Sequence, residues 1–131
     1  MIVADASALV AIGDDEWDAG DYLTALQSQR AVISPINYVE LGIILIGRRR
    51  LATQADLDEW LARLEVSIEP SDGLASMAMA AYLRFGRGFH AARLNLGDCF
   101  AYALAQAFDA PLLYKGDDFA LTDIRSALQP T

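Results

Sequence analysis

Short apolar runs, separated by longer stretches of helical period, constrain this chain more than any other feature. IVA at 2–4, AVI at 31–33, VSI at 66–68 and LLY at 112–114 are each three residues long. Runs of this kind suit strands buried on both faces, which belong to parallel sheets joined by helical crossovers. The expected fold is therefore α/β, with three α/β/α layers around a central parallel sheet.

The helical stretches carry local signals of their own. Residues from about 14 to 29 place Trp17, Tyr22, Leu23 and Leu26 at near-helical spacing. Ser34 before Pro35 is a capping hydroxyl followed by a residue whose missing N–H is no loss, and Gly47 with the arginines after it marks the end. TQAD at 53–56 reads as a capped start to a helix running through Leu64. Ser71 with Asp72 is expected to open the helix LASMAMAAYLRF, and the glycine-containing segment 86–96 reads as a loop. A helix from about Gly97 to Phe108 precedes the last strand, with a short piece near Ile124 after it.

A chain of 131 residues suits one domain, here 1–131, and buries roughly two thirds of its unfolded surface. Its one cysteine, Cys99, lies in CFAYALA, so no disulfide framework exists and the thiol reads as a small core residue in a reducing compartment. No apolar stretch approaches the ~20 residues of a membrane span, and no basic region precedes a signal-type core. The expectation is a soluble cytoplasmic protein with no membrane partner. A net charge of −8 argues against nucleic acid, but charge is unevenly placed. Asp14, Asp15, Glu16, Asp18 and Asp21 read as the solvated start of a helix, while basic residues gather in RRR at 48–50 and RFGRGFHAAR at 84–93.

Four acidic positions are out of keeping with their surroundings. Asp5 ends the first strand, Glu40 interrupts the apolar helix INYVELGI, Asp98 opens LNLGDCFAYALA, and Asp117 with Asp118 follows the last strand. Each has an ordinary reading: Asp5 as a helix cap, Asp98 as a first-turn acid facing the macrodipole, and YKGDDF as a turn. Glu40 is harder to explain, because a helix apolar all round is usually buried. All four sit at strand ends or in the first turns of apolar helices. Ligands bind beyond the carboxyl ends of parallel strands, and acids meeting there repel one another unless a cation lies between them. Oxygen donors without a histidine or thiol set select a hard ion, Mg2+ or Mn2+.

Here the sequence resembles the PIN-domain ribonucleases, specifically the VapC toxins of bacterial toxin-antitoxin pairs. The likeness rests on IVADASAL with Asp5 and Ser7, INYVELGI with Glu40, HAARLNLGDCFAYALA with Asp98, and LLYKGDDFALTDI. It covers nearly the whole chain in order and spacing. The resemblance implies a PIN-like sheet of about five parallel strands, an acidic pocket holding Mg2+ or Mn2+, and endonucleolytic cleavage of RNA to 5′-phosphate and 3′-hydroxyl ends. It further implies a homodimer blocked by a cognate VapB-type antitoxin. Asp5 and Asp98 would be the main ligands, with Glu40, Asp118 and, more weakly, Asp117 completing the site. An acid immediately before the phenylalanine is the family pattern, which favours Asp118.

Ser7 is then a candidate hydrogen-bond donor to a ligand carboxylate, or a plain helix cap. His90, the only histidine, leaves no histidine pair for metal-free ribonuclease chemistry. With Arg84, Arg87 and Arg93 it reads as a phosphate-facing loop or as solvated surface. Tyr82 and Phe89 are candidates for base stacking or core packing. Lys115 either contacts phosphate, neutralises the acids, or is an ordinary exposed turn lysine. Two rivals share the fold class: a phosphoacceptor, receiver-like signalling domain and a catalytically silent PIN-fold regulator. The first wants an adjacent acid pair after strand one and an aspartate after the central strand, where this chain has a lone Asp5 and Glu69. A phosphatase with a nucleophilic aspartate wants a second aspartate where Ser7 stands.

Overall fold

Each short apolar run becomes a strand. The computed structural model describes residues 1–70 and 72–128, and its strands are β1 (Ile2–Ala4), β2 (Ala31–Ile33), β3 (Val66–Ile68) and β4 (Leu112–Leu113). All pair in parallel, in the order β3-β2-β1-β4. Beyond β4, Leu112 forms one parallel bridge to Ser126, so the fifth position of the expected sheet is reduced to a single bridge near the short C-terminal piece.

Helices cover both faces. On one side lie α1 (Ala6–Gly13), α2 (Ala19–Ser28), α3 (Pro35–Gly47) and α4 (Gln54–Arg63), and on the other α5 (Leu74–Phe85) and α6 (Leu96–Ala107). Side chains of β1 alternate between the two cores: Ile2 and Ala4 face the first, Val3 the second. Fully burying side chains such as Ile2, Leu9, Leu41 and Leu104 contributes ~1.5–3 kcal/mol each. The chain crosses from β1 to β2 on one side and returns through α5 and α6 to β4 on the other. The crevice outside the carboxyl end of β1 is therefore the topological switch point, where open α/β sheets bind ligands.

Local signals fare well where the partners are close in sequence. Ser34 caps α3 by accepting from the Asn37 N–H, and Thr53 with Asp56 forms a reciprocal capping box on α4. Ser71 lies outside the described residues. The residue that enters α5 is Gly73, in a left-handed conformation with φ 79° that favours glycine, and it makes no side-chain cap.

Three expectations are corrected. The helix expected over 14–29 starts only at Ala19, as α2, after a turn at 14–18 with left-handed Asp15, and a separate helix, α1, precedes that turn; Trp17 is in the turn and 90% exposed. Of the acids of that segment, Asp15 and Asp21 are exposed, Asp21 in the first turn of α2 as expected, but the other three are not a solvated helix start. Asp14 pairs with Arg48 and Arg50, while Glu16 and Asp18 hold Lys115 at 2.6 and 3.1 Å. Nor is α3 buried all round: Leu41 and Leu45 are in the core, but Val39 and Ile43 are 54% and 69% exposed because only one face of this outer-layer helix is covered.

Candidate active site

The site grows from the end of β1. The Asp5 backbone N–H donates to Leu113 O on β4 at 2.8 Å, continuing the sheet for one residue, and its side chain then caps α1. Asp5 Oδ2 accepts from the Ser7 backbone N–H at 3.1 Å and from the Ser7 hydroxyl at 2.5 Å. Ser7 Oγ in turn accepts from the Lys115 backbone N–H at 3.0 Å. A backbone group just beyond β4 thus orients the hydroxyl that orients Asp5.

Asp98 comes from the first turn of α6. Asn95 and Asp98 form a capping box: Asn95 Oδ1 accepts from the Asp98 N–H at 2.9 Å and Asp98 Oδ2 from the Asn95 N–H at 3.0 Å. Glu40 comes from α3, where its Oε1 accepts from Asn37 Nδ2 at 2.9 Å. Asn37, fully buried, also donates to Gly97 O at 3.0 Å and accepts the Ser34 hydroxyl at 2.5 Å. It was not among the residues singled out from the sequence, where INYVELGI drew attention only to its glutamate.

Asp5, Glu40 and Asp98 line one cleft of about 310 Å³, together with Glu16, Lys115 and Arg48. A larger groove of about 610 Å³ runs along β3, but its acids, Asp58 and Glu65, are both exposed. In the cleft each of the three acids has one oxygen held by protein donors. Among the described residues the other oxygens, Asp5 Oδ1, Glu40 Oε2 and Asp98 Oδ1, accept no hydrogen bond. The helix-cap readings of Asp5 and Asp98 and the ligand readings are therefore compatible, since capping occupies one oxygen only.

The electrostatics are unfavourable without a counter-charge. Burial pushes the Asp5 carboxyl up to about 7, against the lowering effect of the Ser7 hydrogen bonds, and the charges of Asp98 and then Glu40 raise it further. Burial likewise raises Asp98 to about 6, with Asp118 and Glu40 adding to the rise and the Asn95 hydrogen bond opposing it. Among the described residues no three His, Cys, Asp or Glu side chains form a ready-made metal cluster. The donor set still suits a hard divalent cation. It consists of carboxylate oxygens alone, with free lone pairs and mutual repulsion that a cation relieves.

The other candidates fall less centrally. Asp118 is exposed and does not line the cleft, but its charge reaches Asp98 and the next residue, Phe119, is buried in the core. Asp117, also exposed, contributes its backbone carbonyl to the Ala120 N–H. The Lys115 ammonium is engaged by Glu16 and Asp18, which raise its pKa, rather than by Asp5 or Asp98.

Arg84, Arg87, His90 and Arg93 surround the loop between α5 and α6 and do not line the cleft. Arg84 pairs with Asp123 at 3.3 Å and lies over the Phe85 ring. His90 Nδ1 accepts from the Ala92 N–H, so the ring closes its own turn. Tyr82 packs edge-on against Phe89, which is 60% exposed. Cys99 is buried, as expected. Glu16 is the acid whose neighbourhood the sequence disguised, because its run of acids resembles an ordinary solvated face.

Comparison with known proteins bears on the same elements. The PIN domain family model matches residues 2–124. Ribonuclease VapC28 of Mycobacterium tuberculosis is 42% identical over 130 residues, covering 97% of this chain and 98% of that one. Ribonuclease VapC of Mycolicibacterium smegmatis is 43% identical over 126 residues, covering 94% and 97%. The crystal structure of Mycobacterium tuberculosis VapC20, a Sarcin-Ricin loop cleaving toxin, superposes with a TM-score of 0.67 at 20% identity. It covers 95% of this chain and 99% of the other, a likeness of fold.

Proposed function

This chain belongs to the PIN domain family, and from that membership we propose that it is a VapC-type ribonuclease, the toxin of a toxin-antitoxin pair, which hydrolyses RNA with a divalent cation. The observation that carries the reading is the cleft at the end of β1, where three acids each present one unengaged oxygen. Asp5 and Asp98 are the principal ligands of Mg2+ or Mn2+. Glu40 and Asp118 complete the set, and Asp117 is the weaker candidate.

A bound cation of this kind supplies charge for the phosphate and leaving oxygen and makes water more acidic. The chain's own residues do the rest. Ser7 holds the Asp5 carboxylate in one orientation, and Asn95 does so for Asp98. Val10 and Ile44 give the cleft apolar wall, which limits water beside the acids. No side-chain nucleophile is required, and His90 has its Nδ1 committed to Ala92. The products are 5′-phosphate and 3′-hydroxyl ends.

Arg84, Arg87, His90 and Arg93 offer the RNA backbone an exposed basic loop, and Lys115 sits at the cleft beside the acids. The protein partners are a VapB-type antitoxin and a second copy of the chain. Val39 and Ile43 on α3, with Met79 and Leu83 on α5, supply uncovered apolar surface for them. No helix among the described residues is long and apolar enough to cross a membrane, and the proposed place of action is the cytoplasm.

The reading is tested by incubating purified protein with single-stranded RNA and Mg2+ or Mn2+. Cleavage that stops on adding excess chelator is expected; cleavage undiminished in chelator overturns the mechanism.

A further inference from the structure

The best-satisfied polar side chain near the cleft is one that no reading of the sequence picked out. Asn37 is fully buried, and both of its side-chain N–H donors and its carbonyl oxygen are engaged, by α3, by Ser34 that caps it, and by α6. Its Oδ1 accepts from the Ser34 hydroxyl at 2.5 Å, but the Glu40 carboxylate and the Gly97 carbonyl, which can only accept, are what fix which way round the amide lies. Its Nδ2 then gives both protons away, to Glu40 Oε1 at 2.9 Å and to Gly97 O at 3.0 Å. Glu40 and Gly97 are on different helices, and Gly97 immediately precedes Asp98. One amide therefore joins the carboxylate of one acid to the backbone that carries another.

We propose that Asn37 is a positioning residue that sets the Glu40 carboxylate against the amino end of α6, so that Glu40 and Asp98 address the same cation. This rests on the ribonuclease reading above. A carboxylate on a flexible side chain, in a half-buried cleft with other acids, would otherwise swing outward to water. The Asn37 amide keeps one oxygen inward and leaves Oε2 for the ion.

The test is calorimetric titration of Mn2+ into the full chain as wild type, Asn37→Ala, Glu40→Gln, the double variant and Ser34→Ala, with melting temperatures measured alongside. Asn37→Ala is expected to weaken Mn2+ binding at least tenfold. The double variant should bind no more weakly than Glu40→Gln alone, because Asn37 acts through Glu40. Ser34→Ala, which loses the α3 cap and a buried hydrogen bond, should melt earlier yet bind Mn2+ within twofold of wild type. If Asn37→Ala does not fold, Asn37→Ser retains a hydroxyl in the buried site but is an atom short of Glu40, and the same pattern is expected of it.

Unchanged Mn2+ affinity in the Asn37 variants, or losses that multiply in the double variant, would overturn the role given to Asn37 while leaving a metal-binding, RNA-cleaving wild type intact. A wild type that neither binds Mn2+ nor cleaves RNA would overturn the ribonuclease reading itself, and this inference with it.

Discussion

Gly97 and Glu40 meet where no side chain fits between them: a Cβ at position 97 would overlap both oxygens of the Glu40 carboxylate. The overlap is with the far end of a side chain, so the fold can yield at modest cost, but the carboxylate must leave its place. Gly97→Ala is expected to melt within a few degrees of wild type and to lose cleavage by more than tenfold. Parallel melting curves and cleavage rates check this, and full activity would mean Glu40 does not serve the site in the position seen.

Asp5→Asn and Asp98→Asn should abolish metal-dependent cleavage while the fold survives. Asparagine keeps an oxygen for the Ser7 or Asn95 donors that now bind these side chains, so the caps persist and only the charge is lost. Circular dichroism and Mn2+ titration separate the two effects; activity retained in Asp5→Asn would remove it from the ligand set.

Without metal, stability should fall as pH rises through the window between the ordinary carboxylate range and about 7. The Asp5 carboxyl, ordinarily at 3.8, is raised to about 7 in the fold, and that of Asp98 to about 6. In that window the native state holds more protons than the unfolded chain, so unfolding becomes easier with pH, and the loss is complete above about 7. A tenfold change in proton affinity corresponds to about 1.4 kcal/mol, so the loss is of order a few kcal/mol. Urea midpoints measured from pH 5 to 8 in chelator check the sign. Excess Mg2+ should restore the midpoint at the upper end, since a ligand that binds only the native state stabilises it. Metal-free stability that rises over the same range would contradict the raised carboxyls.

Asp118 and Asp117 should separate kinetically. Asp118 already acts on the Asp98 carboxyl through its charge, and Phe119 beside it is anchored in the core. Asp118→Asn is expected to lower turnover by well over tenfold, more than ~1.4 kcal/mol of barrier, and Asp117→Asn by less. Rates at saturating Mg2+ decide the order, and the reverse order would mean the turn is rotated by one residue in the working enzyme.

Neutralising Arg84, Arg87 and Arg93 together should weaken RNA binding and flatten its salt dependence, since fewer counterions are released. Arg87 and Arg93 lie in the exposed loop and Arg84 at the exposed end of α5, where the ion pair it gives up with Asp123 is itself exposed, so the fold should tolerate the change. An unchanged slope would move the backbone contact elsewhere, with Arg48 at the cleft and its neighbours Arg49 and Arg50 the next residues to neutralise.

Much of this molecule is decided within four or five residues of chain, and that part is legible in the sequence. Ser34 with Pro35, Thr53 with Asp56 and the three-residue apolar runs act through neighbours, so they announce the same helices and strands before any packing is known. The same holds for Asp5 at the end of β1. Its place just beyond the first strand follows from the pattern, whereas the inner position of that strand, with VSI at the edge of the sheet and not at its centre, is decided by the order β3-β2-β1-β4.

What the tertiary structure alone decided depends on residues far apart in sequence. Asp14, Glu16 and Asp18 resemble a solvated helix start because their partners, Arg48, Arg50 and Lys115, arrive from α3's end and from beyond β4, Lys115 being 99 residues from Glu16. Asn37 reaches Gly97 across 60 residues, and the missing Cβ of Gly97 matters only because α3 and α6 pack there. The sequence shows which acids are out of keeping, since an apolar setting is a local property. Which oxygen of each acid is tied down is local too, since Ser7, Asn37 and Asn95 lie two or three residues from Asp5, Glu40 and Asp98; that the three remaining oxygens share one cleft is a property of the packed whole, because only the folded layers bring β1, α3 and α6 together.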